Sequence, residues 1–266
     1  MARLDGKFIK GIVGPTVYKK YRDKQIVQQA PEYSPSSQTE ASKESATTFG
    51  IASNLAMTFR DTLNPIITDE VPGDMVNRLN SDVVNILNQS IDAVNGSFVF
   101  HANSFNRLNG FEFNSKSMVR DNFFAQPSLL VTGSKLKVNI PEIQMPAEFK
   151  YPKGIEWCML SFGLAMFDLT YGHSFFSPVE KKEIKYEYDS APIPAQEFSF
   201  EIEPGCLCIV VISLQFLKNT FAGRMFYNTI DFNPVAILNA FIADGNVDLE
   251  RLKKWDEMKF KTSNSS

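Results

Sequence analysis

The residues best suited to chemistry in this chain are few and scattered. There are two histidines, His101 and His173, and three cysteines, Cys158, Cys206 and Cys208. A zinc site needs three or four nitrogen, sulfur or oxygen ligands within tetrahedral reach. No His-x-x-x-His or Cys-x-x-Cys spacing supplies them, so neither a metal nor another cofactor is expected. The Gly-x-Ser-x-Gly turn of a serine nucleophile is missing, and Ser161-Phe162-Gly163 lies in an apolar run that reads as a core strand. Gly11-Ile12-Val13-Gly14 lacks the Gly-Lys-Ser/Thr of a phosphate-binding loop and reads as a turn or arm. Glu183/Glu187 and Glu201/Glu203 have strand spacing that puts each pair on one face, as glycoside hydrolysis would require. They alternate with Ile184, Tyr186, Phe198 and Phe200, which need the buried side, so a solvated sheet face is expected instead. These features together predict a protein that is not an enzyme.

The cysteines point the same way. Their odd count excludes a complete disulfide framework. Cys206 and Cys208 are two apart in a strand-like run, share a face and are poorly placed to bridge. Three buried thiols are expected, which suits a reducing compartment.

Bulk properties narrow the class. The 266 residues are 44% hydrophobic and 21% charged, with a net charge of −3, an ordinary globular composition. No overall field would drive the chain onto nucleic acid or a membrane. The 23 phenylalanines suit sheet cores and cross-strand ring pairs. Residues 1–21 hold no apolar leader run. The longest apolar stretch, Cys206 to Leu217, is interrupted by Ser213 and Gln215 and is too short for a membrane-spanning helix. The expected location is cytoplasmic or particle-associated, without a membrane span.

The chain divides into four expected stretches: an arm and linker (1–36), a helical segment (37–95), a β region (96–245) and a terminal helix with tail (246–266). In the arm, Val17–Tyr21 and Gln25–Gln29 read as two strands around an Arg22-Asp23-Lys24 turn. Ser37 and Glu40 have capping-box spacing for a first helix that Pro65 should end. A second helix is expected over 73–91 on the stripe Met75, Val76, Leu79, Val83, Ile86, Leu87 and Ile91, or broken near Asn80-Ser81. Strands are expected at 97–100, 111–113, 128–131, 136–140, 156–169, 183–188, 197–201 and 207–216, with 224–227 as a further candidate. The runs Trp157–Phe167 and Leu207–Phe216 are apolar almost throughout and should be central, with Trp157 buried. Pro234 should open an apolar helix over 235–242, and Asp248 a charged one through Lys259. The expected fold is mainly β (α+β): an antiparallel β-sandwich with an N-terminal hairpin arm, two N-terminal helices and a short C-terminal helix.

One resemblance adds to this. Gly11-Ile12-Val13-Gly14, Val17 to Val27, Pro31, Gln38-Thr39-Glu40-Ala41-Ser42, Phe49 and Ala52-Ser53 stand in an order that resembles an uncharacterised family of hypothetical proteins from Bacteroidetes-group bacteria. Pro152 to Trp157 and Gly205 to Phe216 are similar to that family's sheet region. The resemblance implies a β-rich fold and a bacterial or phage-borne origin, and it carries no activity or catalytic residue.

An isolated two-stranded hairpin is marginal in water, so the arm must rest on something. The residues expected to carry assembly are therefore Lys7, Val17, Tyr18, Lys19, Lys20, Tyr21, Arg22, Ile26 and Val27. The expected function is a structural or assembly protein, possible in a phage-like or other large particle, whose partners are copies of itself or another protein. Nucleic acid is disfavoured because the arm is short and the rest of the chain is acidic. The alternative is a ligand-binding sandwich of carbohydrate-binding type, which would need an exposed aromatic on a concave face.

Overall fold

The computed structural model describes residues 2–30, 40–68, 70–186 and 192–262. It contains 40% strand and 21% helix, and its sheets are antiparallel, as the β-rich class requires. Backbone contacts divide the chain into two compact units, Met1–Ser45 and Ala46–Ser266. Ser37, Glu187, Tyr188 and residues 31–36 of the expected linker lie outside the described residues, and so does the side chain of Glu40.

The first unit is a four-stranded antiparallel meander, not the two-stranded hairpin expected. Its strands are β1 (Arg3–Asp5), β2 (Phe8–Val13), β3 (Thr16–Tyr21) and β4 (Lys24–Gln29), side by side in chain order. The pairs Asp5↔Phe8, Val13↔Thr16 and Tyr21↔Lys24 each enclose a two-residue turn. These turns recur every eight residues, and Gly6, Gly14 and Arg22 occupy their first positions with φ of 61°, 54° and 55°. The right-handed twist of paired strands selects such turns, and they demand positive φ there.

Helix α1 (Glu40–Ile67) runs from residue 40 into the second unit, which continues with α2 (Met75–Gln89). The expected stop at Pro65 does not occur, because Pro65 sits inside the last turn. The helix ends two residues later at Ile67, and Thr68 follows with a φ of 61°. Buried Asn233 holds this end, donating from Nδ2 to the Ile67 and Glu70 carbonyls at 3.1 and 3.0 Å. Proline costs the helix one bond, the N–H that would reach the Asp61 carbonyl, while the last turn still closes with the Thr68 N–H on the Asn64 carbonyl at 3.0 Å.

The remaining strands are β5 (Ser128–Thr132), β6 (Lys135–Ile140), β7 (Trp157–Asp168), β8 (His173–Phe176), β9 (Glu180–Lys185), β10 (Gln196–Glu201), β11 (Leu207–Thr220), β12 (Gly223–Phe226) and β13 (Val235–Ile242). A four-residue helix α3 (Leu249–Leu252) and strand β14 (Asp256–Glu257) follow. One sheet has the order β10-β6-β5. The larger sheet is built on β7 and β11, paired from Leu207↔Phe167 to Leu217↔Trp157. Strands β8 and β9 share the far edge of β7, β12 and β13 share the far edge of β11, and β14 pairs with β8.

Three expectations are corrected here. Residues 235–242 form a strand, not a helix. A short apolar run has no decisive period, and pairing with β11 settles it. The terminal helix shrinks to α3, capped by the Asp248 side chain on the Glu250 N–H, and Asp256–Glu257 pairs with β8 instead of continuing it. Residues 97–100 and 111–113 form single bridges, Ile91↔Phe98 and Glu112↔Ala236, the latter lying along the open side of β13.

Alternate residues of β7 and β11 enter two different cores. Ala165, Phe167, Leu207, Ile209 and Val211 join α1, α2, Phe105 and Phe113 on one face. Leu160, Phe162, Leu164, Cys208, Val210, Ile212 and Phe216 join β6, β10 and Phe149 on the other. On the helical face, Ser161, Gly163 and Ser213 are small. A Cβ on Gly163 would stand 2.9 Å from the Phe176 ring and 3.0 Å from Ile66 Cδ1. Gly163→Val should therefore lower stability by about 1–3 kcal/mol through overpacking. Urea denaturation checks this, and an unchanged midpoint would contradict the close approach.

Candidate assembly surface and grooves

The meander brings all the expected arm residues into one small sheet. Its bonding is reinforced by Gln25, whose Oε1 accepts from the Ile9 N–H at 2.7 Å and whose Nε2 donates to the Ile9 and Lys19 carbonyls at 2.9 and 3.0 Å. One side chain thus ties β2 to the β3–β4 hairpin, a role that sequence patterning did not reveal. Phe8 is the buried apolar residue of this sheet, with the ammonium groups of Lys7 and Lys20 over its ring at 5.3 and 5.0 Å.

The other apolar residues of the sheet stay in contact with water. Direct pairing puts Val13, Tyr18 and Val27 on one face and Ile12, Val17, Ile26 and Tyr21 on the other. Ile12, Val13, Tyr21 and Val27 are each more than half exposed. Lys7, Lys19, Lys20 and Arg22 are exposed as well. Seven Lys and Arg against two Asp in residues 2–29 give the surface a positive charge. Asp5 is held below the usual carboxylate range by its hydrogen bond and ion pair with Lys10.

Two of the depressions in the second unit gather charged groups beside aromatic ones. A groove of about 390 Å³ lies beside the end of β10. Half-exposed Trp255 forms one wall, stacked on Phe175 with centroids 5.5 Å apart. Glu180, Glu201 and Glu203 add carboxylates. Glu203 is buried and accepts from Arg251 Nη1 at 2.9 Å, which in turn raises the guanidinium pKa. Only Glu201 of the expected Glu201/Glu203 pair is solvated, because Glu203 lies beyond the strand and turns inward. A second cavity, of about 640 Å³, gathers Arg78, Arg107, Arg120 and Glu112. Burial raises the Glu112 pKa although its carboxylate accepts the Val119 and Arg120 N–H groups. Arg78 is committed to the Glu112 and Phe113 carbonyls and Arg107 to Asp82, so these cations brace the fold.

Neither histidine and none of the cysteines lines either of these two depressions. His101 is exposed. His173 Nδ1 lies 3.3 Å from Oδ2 of fully buried Asp168, which also accepts the Thr170 and Tyr171 N–H groups. All three cysteines are buried and unbridged. Burial pushes the Cys158 and Cys206 thiols well up and Cys208 to about 12, opposite to what a thiolate nucleophile needs. No group of three or more potential metal ligands occurs among the described residues. Trp157 is half-buried, not fully buried as expected, and the Arg224 guanidinium covers its ring at 4.0 Å. No described helix is long and apolar enough to cross a membrane. Comparison with protein-family models, curated proteins and solved structures returned no match.

Arg22 is the anomaly of the meander. Its equivalents at the other two turns are glycines, and positive φ costs an L-residue roughly 1–2 kcal/mol. Arg22→Gly should slow amide exchange at Tyr21 and Lys24 by roughly fivefold or more, the equivalent of about 1 kcal/mol. Exchange that is unchanged or faster would remove the strain.

Proposed function

We propose that this is a non-enzymatic structural or assembly protein that self-associates through its N-terminal sheet, as a component of a larger particle would. The observation carrying this reading is the meander itself: four strands whose apolar side chains are exposed on both faces, with Ile12 at 53% and Val27 at 55%. Such a sheet gains stability from a further layer or strand, and a neighbouring copy can supply either. The basic meander and the acidic remainder of the chain add charge complementarity between copies. In this reading the second unit is a β-sandwich platform, with the β10-β6-β5 sheet facing the β7–β11 sheet and the helices behind it. Deleting residues 2–30 leaves both cores of the second unit intact. Light scattering over a concentration series should find the full chain associated and the truncated chain monomeric. Two monomers at every concentration would end the proposal.

The Trp255 groove favours a second reading, a carbohydrate-binding module. An aromatic wall beside carboxylates and an arginine suits a sugar ring, which presents an apolar face and a rim of hydroxyls. A glycan array should then give binding that Trp255→Ala reduces at least tenfold. An array at background would dismiss this reading.

A further inference from the structure

Resting on the assembly reading above, we infer that two copies join through the outer edge of β4, antiparallel, with Val27 on the two-fold axis. The bonding phase of β4 carries the inference. Ala30 N–H donates to Pro15 O at 2.6 Å, just beyond the Thr16↔Gln29 pair. Hydrogen-bonded and non-bonded pairs alternate in an antiparallel ladder. Lys24, Ile26, Gln28 and Ala30 therefore bond inward to β3, and the N–H and C=O groups of Gln25, Val27 and Gln29 point outward. Among the described residues no strand pairs with that edge, and Lys24 and Ile26 to Gln29 are exposed.

The usual guards of an open edge are absent. Residues 24–29 contain no proline, their register with β3 is unbroken, and their one charge, Lys24, sits at the turn. The strand is also self-complementary. With Val27 opposite the partner's Val27, Gln25 faces the partner's Gln29, Ile26 the partner's Gln28 and Lys24 the partner's Ala30. Every outward-pointing residue gains a hydrogen-bonded partner, and no like charges meet. Tyr18 and Val27 are already cross-strand neighbours, so pairing makes one apolar row through both sheets. Moving the axis to Ile26 would leave Gln29 unpaired. The contact is closed and isologous, giving a dimer.

Two variants of the full-length chain test this. Val27→Pro removes an outward N–H that the β3–β4 ladder does not use, and edge strands accept proline. It should reduce the dimer to monomer while amide exchange at Lys19 and Ile26 stays as in the wild type. A Val27→Pro protein as associated as the wild type would overturn edge pairing yet leave the assembly reading standing. A wild type monomeric at every concentration would overturn both. The register is tested by oxidising a mixture of Ile26→Cys and Gln28→Cys chains, since the native cysteines are buried. Disulfide-linked heterodimers in large excess over either self-linked species are expected. That outcome also decides the case if proline loosens the hairpin. Predominant self-linking of Ile26→Cys would move the axis and refute the register, and no linking in either species would refute the contact.

Discussion

Strands β7 and β11 are paired over eleven residue positions and buried on both faces, and the elements of the second unit are placed by the face they cover. A strand wet on one side can alternate polar and apolar residues, but a strand covered on both must be apolar throughout. The two faces are not equivalent. Ser161, Gly163, Ala165 and Ser213 keep the helical side low, so Ile66 can approach the backbone. Bulkier Leu160, Phe162, Leu214 and Phe216 fill the other side. Size along one pair of strands thus sets the distance of α1 from the sheet.

The polar groups inside this unit serve the same placement. Asn233 closes the end of α1, Arg78 braces α2 against the 112–113 backbone, and Glu112 receives the N–H groups that open the 3-10 turn at Val119–Asp121. Asp168 orders the turn between β7 and β8. Each satisfies backbone groups that irregular segments would otherwise leave unpaired. Arg78, Glu112 and Asp168 carry titratable chemistry, yet their hydrogen bonds are spent on joining elements.

The first unit obeys the opposite logic. It has regular turns and the Gln25 clamp, which takes over where the β2–β3 ladder stops at Gly11↔Tyr18, but a single buried ring, Phe8, stands in place of a core. Its Ile12, Val13, Tyr21 and Val27 are exposed, and among the described residues no strand pairs with the outer edge of β4. The positive φ at Arg22 keeps a cation at the tip of a turn where glycine would be easier.

Alternation and apolar runs disclosed β5, β6, β7, β9, β10 and β11, and helical spacing disclosed α1 and α2. The Arg22-Asp23 hairpin was equally plain, because its strands are local in sequence. The rest of the meander was marked only by glycines eight apart, a signal easily read as loop. Other features needed the tertiary structure. Val235–Ile242 became a strand because β11 had an open edge for it. The end of α1 just past Pro65 is held by Asn233, far along the chain, through the Ile67 carbonyl. Trp255 came to line a groove because the chain after α3 turns to pair with β8. Periodicity reports which side of an element is dry, and that much the sequence determined by itself. Which neighbour supplies the dry side depends on pairings between distant segments, and only the folded chain decided those.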